Sequence, residues 1–286
     1  MFINGWFFED DLPPSVAFKV KEYLYTGNSK YQKIDVFESA PLGKVMLLDN
    51  RVMVTEKDEF YYHENIVHPV MSMHPSPKKI MVIGGGDGGT IREVLKYKIV
   101  EEVELIEIDE EVINVSKKYF PEISSELNNP KLKIIATDAI EYVKNVDENS
   151  YDIIICDCTD PDPNSIAAGL ISKDFYSNIT KALKKDGMYI SQNGCPIIQE
   201  KNFETALNNI RAVFKNTELM ISIAPSYPGG YLFTFLIGSN GPINKKIKNK
   251  PVGKTLFWNE EIHEKLFSKP NWIKEKYFLP QFSHNS

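Results

Sequence analysis

The chain has 286 residues, with 33 Lys or Arg against 39 Asp or Glu for a formal charge of −6, and it is 42% hydrophobic and 25% charged. That is ordinary globular usage, and 16 Gly with 17 Pro exclude collagen-like, disordered and low-complexity classes. No stretch approaches the roughly 18 uninterrupted apolar residues of a membrane span, and the acidic start MFINGWFFEDDLPP lacks a basic segment followed by a long apolar one, so a cytoplasmic protein without membrane contact is expected.

Apolar residues alternate from Tyr31 to about Thr55, in YQKIDVFES and then GKVMLLDNRVMVTE, and Asp49-Asn50 supplies a tight turn between two strand-like runs. This predicts a small antiparallel β domain over residues 1–57. From Asp58 a helical pattern (Phe60, Tyr61, Glu64, Val67, His68) runs to the proline-punctuated HPSPKK, opening a second domain over 58–286. Strand KIMVIG, helix TIREVLKY, strand EVELIEID, helix EVINVSKKYF, strand LKIIATD, helix AIEYVKN, strand YDIIICD, helix DFYSNITKAL and strand GMYISQN then alternate strictly. The strands are continuous apolar runs, as in a parallel sheet covered on both faces. A further helix, FETALNNIRAVF, leads to ELMISIAP and YLFTFLIG, joined by Ser226-Tyr227-Pro228-Gly229-Gly230, too short a link for anything but antiparallel strands. The expected class is α/β: a doubly wound, Rossmann-like seven-stranded sheet that resembles that of S-adenosylmethionine-dependent methyltransferases, preceded by the small β domain.

Gly84-Gly85-Gly86-Asp87-Gly88-Gly89 follows the first parallel strand and opens a helix, where a backbone without Cβ atoms lets a ligand approach the helix N-terminus. The run fits both a dinucleotide and an adenosyl sulfonium. Asp87 discriminates, since a carboxylate there repels pyrophosphate and attracts a cation. Glu107 and Asp109 end the second strand, where a carboxylate typically accepts from ribose hydroxyls; capping the next helix suits Asp109 better. Asp138 ends the third strand and serves equally as a helix cap or as an acceptor for an adenine amino group. Asp157-Cys158-Thr159-Asp160-Pro161-Asp162-Pro163 leaves the fourth strand, so an acidic pocket forms beside the glycine loop. Such a pocket, in an acidic chain, points to a cationic small ligand rather than nucleic acid. A magnesium cage would lean on ligand phosphates, for which no cradle is evident, so no metal is expected. His63 and His68 are five apart, roughly 140° around a helix, and cannot pair as zinc ligands; His68 before Pro69 and His74 before Pro75 read as helix-end or loop residues. Cys156, Cys158 and Cys195 show no metal spacing and read as buried thiols. The basic stretch from Lys245 to Lys254 reads as a solvated loop.

Taken together, GGGDGG, E-I-D, D-C-T-D-P, D-E-F-x-Y-H-E, Y-Q-x-I and P-x-Y-P-G-G resemble, in order and spacing from about Trp6 to Gly238, the polyamine aminopropyltransferases, the spermidine synthase family. The resemblance implies transfer of an aminopropyl group from decarboxylated S-adenosylmethionine to an amine, putrescine first among the acceptors, giving spermidine and 5′-methylthioadenosine. Agmatine, cadaverine or spermidine as acceptor, and a methyltransferase, are the alternatives. It further implies catalytic roles for Asp157 and Tyr62, donor contacts from Gln32, Gly84, Gly86, Asp87, Glu107 and Asp138, and acceptor contacts from His63, Asp87, Asp160 and Tyr227. No cofactor or metal is implied, the donor being a co-substrate, and the assembly expected is a homodimer or homotetramer. Two departures stand out. Asp162 to Gly169 replaces a shorter family segment within the 162–172 gate, expected to be mobile without ligand, and Met53 stands where many members carry Gln.

Overall fold

The computed structural model describes residues 2–8, 16–161 and 166–279. Six strands form an antiparallel meander in chain order: β1 (Phe2–Ile3), β2 (Trp6–Phe8), β3 (Ala17–Asn28), β4 (Lys33–Ser39), β5 (Gly43–Leu48) and β6 (Arg51–Thr55). Asp49 and Asn50, both at positive φ (48° and 63°), make the two-residue turn between β5 and β6, the backbone that Asn and Asp tolerate best. Asn4 and Gly5 (φ 48° and 78°) make a second such turn between β1 and β2. The meander therefore begins well before the alternation at Tyr31. Strand β3 carries charged and aromatic residues with no regular alternation and is exposed along much of its length, so its pairing to β4, not an apolar period, defines it.

One face of the meander buries Phe7, Phe18, Phe37, Val45, Leu47 and Val52. The other places Ile34, Val36, Met46, Leu48 and Val54 against Val112, Val115, Phe120 and Ile123 of the second sheet's layer. That contact brings the β5–β6 hairpin and the start of β4 over the second sheet's ligand edge.

Helix α1 (Glu59–Met73) links the two sheets. It runs through Pro69, so His68 sits inside the helix and is fully buried instead of ending it; His74 is the C-cap, as expected. The proline removes one backbone hydrogen bond. Burial of every residue from Tyr62 to Met73 outweighs that loss.

The second sheet comprises β7 (Lys79–Gly84), β8 (Glu102–Glu107), β9 (Leu132–Ala136), β10 (Tyr151–Asp157), β11 (Leu183–Gln192), β12 (Asn216–Ser222) and β13 (Phe233–Ser239), in the order β12-β13-β11-β10-β7-β8-β9. Only β13 runs antiparallel to its neighbours, the closing pair expected from the Pro/Gly link. Helices α2 (Gly89–Leu95), α3 (Glu110–Tyr119), α4 (Ala139–Val143), α5 (Lys173–Ala182) and α6 (Glu200–Val213) connect the strands, and α7 (Glu260–Lys265) and α8 (Asn271–Tyr277) follow. Ile80, Val82, Val103, Leu105, Ile153 and Ile155 point to one helical layer, while Met81, Ile83, Ile106 and Ile154 point to the other. The strand order reverses between β7 and β10, and such a switch point opens a crevice at the strands' carboxyl ends.

Candidate active site

The crevice is lined at its floor by Gly84 to Asp87 from the β7–α2 loop, Glu107 and Ile108 from the end of β8, Asp138 to Ile140 beyond β9, and Asp157 to Asp160 leaving β10. Gln32, Arg51, Val52 and Met53 of the meander roof one side, and Tyr62, Gln192, Gln199, Tyr227 and Phe233 close the other.

Glycine is required where the loop meets β10. Gly84 and Gly85 both have φ +73°, and a Cβ on Gly84 would lie 2.2 Å from the Asp157 carbonyl oxygen. A Cβ on Gly85 would lie 2.8 Å from the Asp157 carboxylate. Because Gly84 and Asp157 are register partners on adjacent strands, the bare loop is what lets that carboxylate face the crevice.

Tyr62 Oη donates to Asp157 Oδ1 at 2.6 Å, and Thr90 Oγ1 donates to Oδ2 at 2.6 Å. Burial and the Asp157 carboxylate hold the Tyr62 phenol well above its ordinary pKa, so it stays a donor. Asp157 itself is pushed up by burial and by the neighbouring Asp87 charge, against the opposing pull of His63, Thr90 and Tyr62. A raised carboxyl is a better proton acceptor than an ordinary one. Asp87 goes the other way. Burial disfavours its charge, but His63 at 3.3 Å and the Gly89 N–H at 2.7 Å outweigh it and keep the carboxylate ionised.

His63 does not line the crevice. Its ring is 2% exposed and lies behind Asp87, with Nδ1 against Glu59 and Nε2 against Asp87. This corrects the expectation of a direct acceptor contact: both ring nitrogens are committed to carboxylates of the protein. Burial opposes the imidazolium, yet Asp87 and Glu59 prevail and raise its pKa well above the usual value. Glu59 is anchored in turn by Arg92 at 2.8 and 2.9 Å.

Glu107 is buried with one oxygen accepting the Asp109 N–H at 2.9 Å, and burial together with the Asp109 charge pushes its pKa up to about 7 despite the N–H groups of Asp109, Gly86 and Ile108. Asp109 caps α3 through the Glu111 N–H and also receives Gln32 Nε2 at 2.9 Å and Ser29 Oγ at 2.6 Å. Those bonds hold Gln32 of the meander at the crevice. Asp138 caps α4 through the Ile140 N–H at 2.8 Å, the first of the two alternatives, and also lines the crevice. Tyr227 donates to the Met53 carbonyl oxygen. Asp160 receives Gln192 Nε2 at 3.0 Å and Gln199 Nε2 at 2.5 Å. Neither glutamine was singled out in the sequence, where isolated Gln residues carry no motif.

Of the 162–172 segment, Asp162 to Ser165 lie outside the described residues. The remainder is a 3₁₀ turn (Ile166–Ile171) with Ala167 and Leu170 buried in the core and lining the crevice, so this half is anchored and not the loose tether its composition suggested. Cys156, Cys158 and Cys195 are free thiols; Cys156 and Cys195 are buried as expected, whereas Cys158 is half-buried at the crevice. One cluster has ligand-like geometry: Glu64, His68 and Glu93 offer atoms within 4.8 Å of one another. Glu64, however, accepts the N–H groups of Leu256, Phe257 and Trp258 at 2.7 to 2.8 Å, and Glu93 faces Arg92, Lys96 and His68. The cluster thus clamps the segment after β13 onto α1 and does not fit a metal.

A doubly wound sheet whose glycine loop, strand-end carboxylates and Tyr–Asp pair share one acidic crevice has the architecture of an α/β enzyme with its site at the switch point. Comparison with known proteins narrows the class. Residues 59–248 match the spermine/spermidine synthase domain and residues 5–56 the spermidine synthase tetramerisation domain. The polyamine aminopropyltransferase of Alkaliphilus metalliredigens is 40% identical over 91% of this chain and 93% of its own, and that of Caldicellulosiruptor saccharolyticus 39% identical over 94% and 97%. A solved spermidine synthase in complex with the transition-state analogue AdoDATO superposes with a TM-score of 0.89 at 35% identity, covering 96% of this chain and 94% of the other. The spermidine synthase of Thermotoga maritima gives 0.86 at 36%, covering 94% and 92%. The chain belongs to the spermine/spermidine synthase family, a family of aminopropyl-transferring enzymes.

Proposed function

We propose that the protein transfers the aminopropyl group of decarboxylated S-adenosylmethionine to putrescine, forming spermidine and 5′-methylthioadenosine. The Tyr62–Asp157 pair at 2.6 Å, facing a crevice that also holds Asp87 and Asp160, carries this reading. An alkyl ammonium cannot attack carbon, so a carboxylate must first take a proton from it. Asp157 takes that proton, and the freed nitrogen pair forms a bond to the carbon beside sulfur. The C–S bond breaks with its electrons going to sulfur, so the sulfonium leaves as a neutral thioether and the new secondary amine keeps the positive charge. Tyr62 orients Asp157 and the incoming nitrogen. Positioning supplies the proximity term, and the cationic leaving group needs no cofactor or metal.

On this reading Asp87 and Asp157 hold the donor's ammonium, Glu107 and Gln32 the ribose hydroxyls, and Asp138 the adenine edge, with Gly84 and Gly86 giving the adenosyl group its approach. Asp87, Asp160 and Tyr227 contact the acceptor, and His63 acts by fixing Asp87. The match of residues 5–56 to a tetramerisation domain supports a homo-oligomer, with a homotetramer or homodimer as its form. The test is incubation with decarboxylated S-adenosylmethionine and putrescine, cadaverine, agmatine or spermidine, with mass analysis of the products. Methylthioadenosine together with spermidine, formed fastest from putrescine, is expected. Methyl transfer from S-adenosylmethionine, without an aminopropylated amine from the decarboxylated donor, would overturn the reading.

A further inference from the structure

We propose that Gln199 is a positioning residue for Asp160, and that its amide sets how tightly the cationic acceptor is held. This rests on the reading of Asp160 as an acceptor contact.

Gln199 stands at the start of α6 on the turn closed by Gln199 N–H to the Cys195 carbonyl oxygen at 2.8 Å, and its side chain folds back into the crevice instead of capping the helix. Gln199 Oε1 accepts the Cys195 N–H at 3.0 Å while Nε2 donates to Asp160 Oδ2 at 2.5 Å. With a donor at one end and an acceptor at the other, the amide has a single orientation that satisfies both. A carboxylate in its place would lose the donor and set a like charge against Asp160.

Gln192 matches it on the other oxygen. Its Nε2 donates to Asp160 Oδ1 and to the Cys158 carbonyl oxygen, each at 3.0 Å, and its Oε1 accepts the Gly194 N–H at 3.0 Å. Two neutral amides therefore hold Asp160 from both sides, and neither brings a positive charge to it as a Lys or Arg would. A carboxylate so held offers an ammonium a fixed anion at little ordering cost.

Gly194 makes room for this arrangement. It has φ +53°, and a Cβ added there would lie 1.7 Å from Gln199 Oε1. The glycine and the glutamine are thus two parts of one device: a bare backbone position that the amide crosses on its way to Asp160.

The experiment is steady-state kinetics of the full-length enzyme, with the amine varied at saturating donor and donor binding measured in parallel, on Gln199→Leu, Asp160→Asn and the double variant. Gln199→Met, unbranched and of similar length, replaces Gln199→Leu if the latter does not fold. Losing one hydrogen bond to a charged group should raise the amine KM about tenfold. The expected split leaves kcat within about twofold and donor affinity unchanged. Because Gln199 acts through Asp160, the double variant should bind amine no worse than Asp160→Asn alone. Multiplied losses in the double variant, or a fall in kcat and donor affinity along with KM, would reduce Gln199 to a general structural role and overturn the proposal. An unchanged amine KM in Asp160→Asn would remove the acceptor contact and the inference with it, whereas a wild type that forms no aminopropylated amine would sink the proposed function itself.

Discussion

The two halves of the crevice are built differently. On the side proposed for the adenosyl group, the glycine loop and the strand-end acids Glu107, Asp138 and Asp157 are fixed by the sheet: Gly84 pairs with Asp157 across β7 and β10, and Glu107 and Asp138 are held by backbone N–H groups at the strand ends. On the side proposed for the amine, Asp160 is held by Gln192 and Gln199, and Tyr227 by the carbonyl of Met53 in the other sheet. One half borrows rigidity from strand register and backbone N–H groups, the other from side-chain amides and a hydroxyl that reach across the crevice. The first suits a group common to a whole class of donors. The second can be retuned one residue at a time to change which amine is accepted.

The sharpest way to break this division is at Asp157, which the two halves share. Asp157→Asn removes the proton acceptor, so kcat at saturating donor should fall about 10² or more. Donor affinity should fall too, because the same carboxylate faces the donor's ammonium, and the two losses separate when kcat is measured under saturation. A near-normal kcat there would strip Asp157 of the base role.

Glu107 tests the proposed adenosyl side alone, and His63 tests the Asp87 carboxylate behind which it lies. Glu107→Gln should weaken donor binding by about 1 to 3 kcal/mol and leave kcat at saturating donor close to wild type, since a ribose contact persists from ground state to transition state. Its pKa of about 7 adds a pH signature. Ribose hydroxyls donate to the ionised form, so donor affinity in the wild type should rise with pH through about 7, and Glu107→Gln should flatten that rise. Stability moves the opposite way. Folding raises this carboxyl from 4.5 to about 7, so the folded protein holds a proton that the unfolded chain has lost, and stability declines as pH rises through that window. Without donor, Glu107→Gln should therefore melt higher than wild type at pH 8, by up to about 3 kcal/mol in stability; an equal or lower Tm would contradict the burial argument. His63→Gln, which removes the imidazolium beside Asp87, should lift the Asp87 pKa and weaken donor binding several-fold, increasingly so toward acid pH. A loss confined to the amine KM would restore the acceptor contact first expected of His63.

The same division explains what the sequence revealed. Gly84 to Asp87, Glu107 and Asp157 could be placed at the crevice because a glycine run between a strand end and a helix lies at the carboxyl edge of such a sheet. The seven-stranded sheet was legible because continuous apolar runs alternate with helical periods. Gln192 and Gln199 were not, since an amide gains its role only from what it faces in the folded chain. His63 was placed in the crevice by motif alone, and its burial behind Asp87 depends on the rotation of α1, which five neighbouring polar and aromatic residues do not define. Strand β3 escaped because it is exposed along much of its length, and the Asn4-Gly5 hairpin because its strands of two and three residues are too short to show a period.

The smallest effect expected lies at the seam between the halves. Cys158 follows Asp157 and lines the crevice two residues before Asp160, so its position alone would suit a nucleophile. Its surroundings oppose that use. The thiol donates to the Ile83 carbonyl oxygen at 3.3 Å and lies 3.8 Å from the Cys156 sulfur. The interaction with the Cys156 thiol, burial, and the charges of Glu107 and Asp157 together hold its pKa well above the ordinary thiol value. A thiolate is then essentially absent at neutral pH, and it is the thiolate that reacts. Cys158→Ser keeps a donor for Ile83 at nearly the same volume, so kcat, amine KM and donor affinity should each stay within about twofold of wild type. Alkylation of the wild-type thiol by iodoacetamide at pH 7 should be far slower than that of a free cysteine. Rapid alkylation with loss of activity, or a tenfold fall in kcat for Cys158→Ser, would mean that the seam takes part in the chemistry.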